Sequence, residues 1–415
     1  MDIRKEWYTK GEAYAKAINE MVQFGETHGW DKWKGKEPEE ERGPLAAKVF
    51  KELKKANLEN RVEQFREDFP PAHIPMVALL KEKGQNIMQF CFIGGQRIAF
   101  ITGAPYQERQ AYLLDGDQCT ALDPDIYGIG KSKRNNVFAI AQNGKITLYR
   151  GWEGELIKEF KLSKALSELN ITELLPFNDG SKILMVTSEG MYLISDTEEA
   201  LIHPTKDEED EDDEEWTPNI DMENATIDPD NRFIVVGDQC YGHYILDMEG
   251  KRVGSVGPQS SYPHFCLFAK DGSQLITNSC HFYNGITIGV DAEKLNGIDI
   301  PEYEDSDEYV VINDAMRVYA GVSTSEYYIL GDAYGYIMAF DKTGKQIWRH
   351  YLGSTISGMA ISDDEKTLWV GSYSGMLHKL QLGKGHRDTH TIGTGKHYED
   401  FRLLFWKGEP QVWKW

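Results

Sequence analysis

Positive charge is scarce in this chain: 67 Asp and Glu outnumber 45 Lys and Arg, a formal net of −22 over 415 residues. Binding of nucleic acid rests on cationic neutralisation of phosphates, so direct contact with DNA or RNA is not expected. Long hydrophobic runs are missing as well. The apolar stretches are strand-sized, short of the ~20 residues that a membrane-crossing helix needs, and no membrane association is expected. Cysteine is sparse. Cys91, Cys119, Cys240, Cys266 and Cys280 form an odd set without regular spacing, which reads as reduced thiols of a cytoplasmic protein. The first twenty residues hold no apolar run ending in a small-residue cleavage site, so a secretory signal is not expected. Only 15 prolines accompany 12% aromatic residues, which argues for an ordered globular chain.

What is present is a repeat. Glycines recur at Gly144, Gly190, Gly242, Gly285, Gly335 and Gly375, each closing one short apolar run and opening another. The gaps of 46, 52, 43, 50 and 40 residues average about 46. Met359 to Gly375 is the clearest copy, and Ile227–Gly237, Phe268–Thr277 and Ile329–Gly335 fall on its frame without gaps. Phe177–Val186 is a further copy, Ile129–Gly144 a looser one, and Phe90–Ile101 reads as the first. Each apolar stretch ends at an Asp-Asp, Asp-Gly or Asp-Asn turn, where short polar side chains and glycine accept tight backbone geometry. Four antiparallel strands of this kind cannot bury both faces alone, and radial stacking buries them. The expected fold is all-β, a β-propeller over residues 75–415 with a helical segment over 1–74. Its 341 residues hold about seven periods, so seven blades are expected, with eight as the alternative. Surplus strands at Ile74–Leu80 and Phe401–Trp415 are expected to close the ring by pairing its two ends.

The phrase is similar to WD40 and quinoprotein-like β-propellers. Gly335 to Trp348 resembles the quinoprotein-type repeat, matching at Ala339, Asp341, Thr343, Gly344 and Trp348 with one residue missing between Asp341 and Thr343. No repeat carries the Gly-His and Trp-Asp pair of strict WD40 blades. The resemblance implies a fold, and propellers of this kind commonly present loops to protein partners; it does not imply a chemistry.

In the first 74 residues, 15 acidic and 14 basic side chains leave a net of −1, so −21 belongs to the rest of the chain. Trp7, Tyr14, Ile18 and Met21 share one face of a helix that Gly25 and Gly29 should end. Pro44 suits the start of a second helix with Leu45, Val49, Leu53 and Ala56 along its apolar side, and Pro70-Pro71 stops the segment.

Motifs for chemistry are few. There is no Gly-x-Ser-x-Gly elbow and no paired carboxylates whose spacing puts them in one cleft. Asp115-Gly-Asp117, Asp123-Pro-Asp125 and Asp228-Pro-Asp230 stand where the repeat requires turns, and Gly383 to His386 with His390 reads as an exposed turn. His264, Cys266, Cys280 and His281 form the one candidate zinc set, on neighbouring strands of a hairpin. Packed thiols are the competing reading, and consecutive Cys280 and His281 should point to opposite faces. No metal and no other cofactor is expected. The acidic run Asp207, Glu208, Glu209, Asp210, Glu211, Asp212, Asp213, Glu214 and Glu215, followed by Trp216, reads as a solvated loop or as a lure for a basic protein surface. With loop aromatics Tyr262, Tyr283 and Tyr373 it makes the candidate contact set. The expected function is a non-catalytic platform for protein interaction, an adaptor or an inhibitory, immunity-type subunit whose partner is basic. The alternative is a metal-dependent hydrolase or small-ligand binder using the central channel.

Overall fold

The computed structural model describes residues 2–206, 216–282, 284–385 and 388–415. Helices come first: α1 (Ile3–His28), α2 (Ala46–Leu58) and α3 (Val62–Asp68). Asp2 caps α1 by accepting from the Arg4 backbone N–H at 3.1 Å. Gly25 does not end that helix. It lies inside it with the Trp30 ring laid against the bare Cα, and the helix stops at Gly29. Ile74–Leu80, expected as a strand, is two short helical turns. Pro75 sits in the opening turn of the first of them, Ile74–Met76, where its missing N–H costs nothing. None of the helices among the described residues is long and apolar enough to cross a membrane.

Among the described residues, the strands from Ile87 onward fall into seven successive units built on four antiparallel strands, with Asp299–Ile300 added in parallel to the fourth, and the fold is propeller-like. Their first strands are Ile87–Gly94, Ile126–Lys131, Ile171–Pro176, Asn224–Ile227, Tyr262–Phe268, Val318–Ser323 and Ile356–Ile361. The first strands of the first and second units are neighbours, as are those of the second and third, fourth and fifth, fifth and sixth, and sixth and seventh. The seventh adjoins the first, so the arrangement returns on itself. Between the third and fourth units, Leu184 and Val186 share a buried cluster with Ile227, Ile234 and Val236. The second and third units touch so closely that they form one ladder through Gly130 and Leu174. A Cβ at Gly130 would stand 2.0 Å from the Leu174 carbonyl oxygen, so only glycine fits. Among the marker glycines, Gly144, Gly190, Gly335 and Gly375 adopt positive φ. Gly242 and Gly285 serve instead where backbone oxygens stand 2.9 and 2.5 Å from the missing Cβ.

The inner edge of each unit leaves backbone groups without a strand partner, and side chains supply one. Gln89 donates to Ile171 O at 3.0 Å and accepts from Ile129 N–H at 2.9 Å, bridging three units. Arg109 donates to Tyr127 O and Ile171 O at 3.0 and 2.7 Å, and Ser357 donates to Ile87 O at 2.7 Å.

The ends of the ring do not exchange a strand. Tyr398–Leu404 stays in the seventh unit as its fourth strand and Trp413–Lys414 adds a fifth. The tail's backbone meets the chain just ahead of the first unit through an isolated bridge between Gly84 and Trp406 and through Gln85 N–H bonded to Phe405 O at 3.1 Å. The tail instead holds the helices. Trp7, Val49, Leu53 and Phe65 bury themselves with Trp406, Trp413 and Trp415. The indole N–H of Trp415 donates to Phe69 O at 2.8 Å and that of Trp7 to Pro70 O at 2.9 Å.

Trp415→Ala is expected to lower stability by about 3–5 kcal/mol, since it opens a cavity and frees the Phe69 carbonyl. Urea midpoints, with limited proteolysis between α2 and α3, check this. The helical segment also docks beside histidines that burial keeps neutral: His73 and His397 are held down to about 4 and His350 to about 3. An unfolded histidine takes its proton near 6.5, so below that pH the unfolded chain binds more protons than the folded one. Stability should therefore be steady above neutrality and fall as pH drops from 6.5 toward about 4, which urea titrations across that range will measure.

Candidate functional site

In each four-stranded antiparallel unit, the turn between the second and third strands emerges at the same end as the connection entering the first strand. Aromatic side chains gather on this end. Tyr106, Phe282, Tyr334 and Tyr373 occupy four second-to-third turns and are 83%, 68%, 51% and 45% exposed. Met222, also exposed, sits on the connection into the fourth unit. The opposite end also exposes Leu156, Ile347 and Tyr398 at the starts of fourth strands, but it differs in its turns. Its turns are tied by ion pairs, among them Arg134–Asp230 at 3.0 Å, Arg232–Asp228 at 2.9 Å and Lys342–Asp271 at 2.7 Å.

Near the axis the aromatic end narrows to a mouth. Tyr319, on the first strand of the sixth unit, sets its ring against His264 at 4.4 Å and Tyr373 at 5.9 Å, both edge to face. The Arg317 guanidinium lies 5.1 Å from the centre of the Tyr319 ring and donates to Phe282 O at 3.1 Å. His264 Nδ1 stands 2.6 Å from Val318 O, so this nitrogen carries the proton and Nε2 is left as a buried acceptor without a partner. Burial holds His264 down to about 4, so the ring is neutral at physiological pH. The walls of the mouth push the Tyr373 hydroxyl up to about 12, with Tyr319 and Tyr106 adding to the effect. Burial also raises Glu223, and Asp221 raises it further. The mouth therefore combines neutral hydroxyls, aromatic faces and a carboxyl group that would gain from a nearby cation.

The structure does not assemble the zinc set expected from the sequence. A bulge between Pro263 and Phe265 breaks the alternation, so His264 turns to the sixth unit while Cys266 sits in the core with Val235, Ile245 and Leu275. Cys280 pairs with Tyr262, not with His264, and is buried, whereas His281 is exposed. Among the described residues no group of three or more His, Cys, Asp or Glu is gathered to hold a metal ion. Of the expected contact residues, Tyr373 lies at the mouth, while Tyr262 begins its strand and Trp216 ends the acidic stretch, both half-buried. Asp207 to Glu215 and Tyr283 lie outside the described residues.

Sequence reasoning missed Tyr106, Tyr319, Arg317, Glu223, Phe282 and Tyr334. Phe282 and Tyr334 stand in the turns that the marker glycines close, a signal that was available. Tyr106 occupies the one such turn without its marker glycine, and Tyr319 depends on how neighbouring units lean together.

No protein-family model matches this chain, and no curated protein sequence matches it. Solved structures similar to it include KlHsv2 with loop 6CD replaced by a Gly-Ser linker, at 9% identity and TM-score 0.48, covering 78% of this chain and 100% of that one. The computationally designed Ika8 protein is 14% identical with TM-score 0.45, covering 71% of this chain and 82% of that one. A chain of a mitotic checkpoint complex is 13% identical with TM-score 0.44, covering 68% and 77%.

The cysteine environments give a direct check. Cys240 is exposed, Cys119 is half-buried, and Cys91, Cys266 and Cys280 are buried. Ellman's reagent should titrate one thiol promptly in the native protein and the others only after denaturant is added. Fast reaction of three or more thiols would contradict the burial of Cys91, Cys266 and Cys280.

Proposed function

We propose that the seven units are the seven blades of a non-catalytic propeller that serves as a platform for a protein partner with a basic surface. The observation that carries this reading is the gathering of four exposed aromatic side chains on second-to-third turns at one end of the ring, opposite an end whose turns are tied by ion pairs. Aromatic side chains on rigid turns offer large contact area with little rotamer freedom to lose, which is why they dominate interface energetics. The long-range field is acidic: the net charge is −22, and Asp207 to Glu215 fall in the sequence between the third and fourth units. Such a field speeds encounter with a cationic surface and weakens as salt rises. A lysine or arginine of the partner would find aromatic faces at Tyr106 and Tyr373 beside Glu223.

Purification from the native host, with mass spectrometry of co-eluting chains, is expected to return a stoichiometric basic protein. Replacing Tyr106, Phe282, Tyr334 and Tyr373 together by Ser should weaken its capture at least about ten-fold while the thermal midpoint is retained. Replacing Asp207 to Glu215 by Ser should chiefly slow association and flatten its salt dependence. A chain that elutes alone, or capture indifferent to both sets of changes, removes the proposal.

A further inference from the structure

A cleft of about 820 Å³ separates the helical segment from the last two units, and nothing in the interaction reading uses it. Its polar side is built on Glu399, at the start of the last unit's fourth strand. Arg402 Nε and Nη2 each donate to that carboxylate at 2.9 Å, Arg66 Nη2 donates at 3.2 Å, and His378 Nδ1 stands 3.3 Å from it. These partners, the two guanidinium groups foremost, hold the carboxyl well below the usual range despite its burial. Two guanidinium groups face this one carboxylate, a locally cationic cluster within a lining of seven acidic and five basic side chains. Arg66 spends its donors on Trp415 O and Glu399, whereas Arg402 Nη1 has no partner. Four more buried atoms of the lining share that condition: His350 Nδ1, His397 Nε2, His73 Nε2 and Arg42 Nη1. Arg402, His350 and His397 are only 6%, 7% and 6% exposed. Buried polar groups are ordinarily bonded, and five unmet ones along one cavity call for an occupant with hydrogen-bonding oxygens.

The rest of the lining narrows the choice. Pro70, Pro71, Ile392 and Phe401 supply apolar walls, suited to a hydrocarbon or aromatic body. Glu63, Glu67 and Asp388 also belong to the lining and disfavour more than one negative charge on the ligand.

We propose that this cleft binds a small monocarboxylate with an apolar body, its carboxylate taken by Arg402 Nη1 and one of the flanking histidines. The volume lies within the range of small-molecule sites, and the position between two chain segments is a common one for them.

The test uses the full chain at neutral pH with phenylacetate and octanoate as probes, their uncharged amides as controls, and inorganic phosphate as the competing oxyanion. Calorimetry is expected to show saturable binding of at least one carboxylate, at least about ten-fold weaker binding of its amide, and no phosphate binding. Arg402→Lys should weaken the carboxylate about ten-fold or more. His350→Phe leaves the Glu399 clamp in place and keeps the test open if the arginine variant does not fold; it too should weaken binding. No binding of either carboxylate at millimolar concentration, equal binding of the amides, preference for phosphate, or indifference to both substitutions would each overturn the assignment. Capture of a protein partner is not expected to change in either variant, so the two readings fail separately.

Discussion

The two ends of the strand-bearing chain meet at a seam, and the propeller-like arrangement exists only if that seam holds. Phe92 lies 5.7 Å from Trp369 across it, and Phe405 sets its ring edge against Phe100 and Tyr112 at 5.5 and 5.1 Å. Ile87, Ile98 and Leu114 of the first unit are buried with Leu377, Phe401 and Leu403 of the last. Because no strand is shared, closure depends on apolar area removed from water, which has no direction and little register of its own. The hydrogen bonds of Gln85 and Ser357 to the neighbouring backbone set the register that packing cannot.

The tail that leaves this seam has a second task. Phe405 belongs to the seam, while Trp406, Trp413 and Trp415 belong to the core shared with the helices. The helical segment is thus joined to the ring at the place where the ring closes, and its Arg66 reaches two carbonyl oxygens of the last unit and tail. That union also creates the cleft lined by His73, His350, His397 and Arg402. The turns between second and third strands of the same sheets carry Tyr106, Phe282, Tyr334 and Tyr373. One ring therefore offers a broad surface suited to a macromolecule and a narrow cavity suited to a small one.

Repeat period, turn positions and the helical start could be read from the chain because each is local. An Asp-Gly or Asp-Asn pair after an apolar run imposes a turn wherever it stands, as Asp228 shows by accepting from the backbone N–H of both Asp230 and Arg232. The candidate site was less legible. His264 and Cys266 alternate correctly in sequence, yet the bulge at Pro263 sends one to a neighbouring unit and the other to the core. Ile74–Leu80 has strand composition, but Pro75 and the apolar surface waiting under Met76 make it helical.

The amino-acid sequence by itself determined the acidity, the repeating four-strand phrase and the helical preface, since charge, turn chemistry and apolar period act over a few residues. Tertiary structure alone decided that Tyr319 meets His264 and Tyr373, that the tail clasps the helices without lending a strand to the first unit, and that five unmet polar atoms share one cavity. These are contacts between segments tens to hundreds of residues apart. Their geometry comes from how whole sheets lean and pack, and no local pattern encodes it.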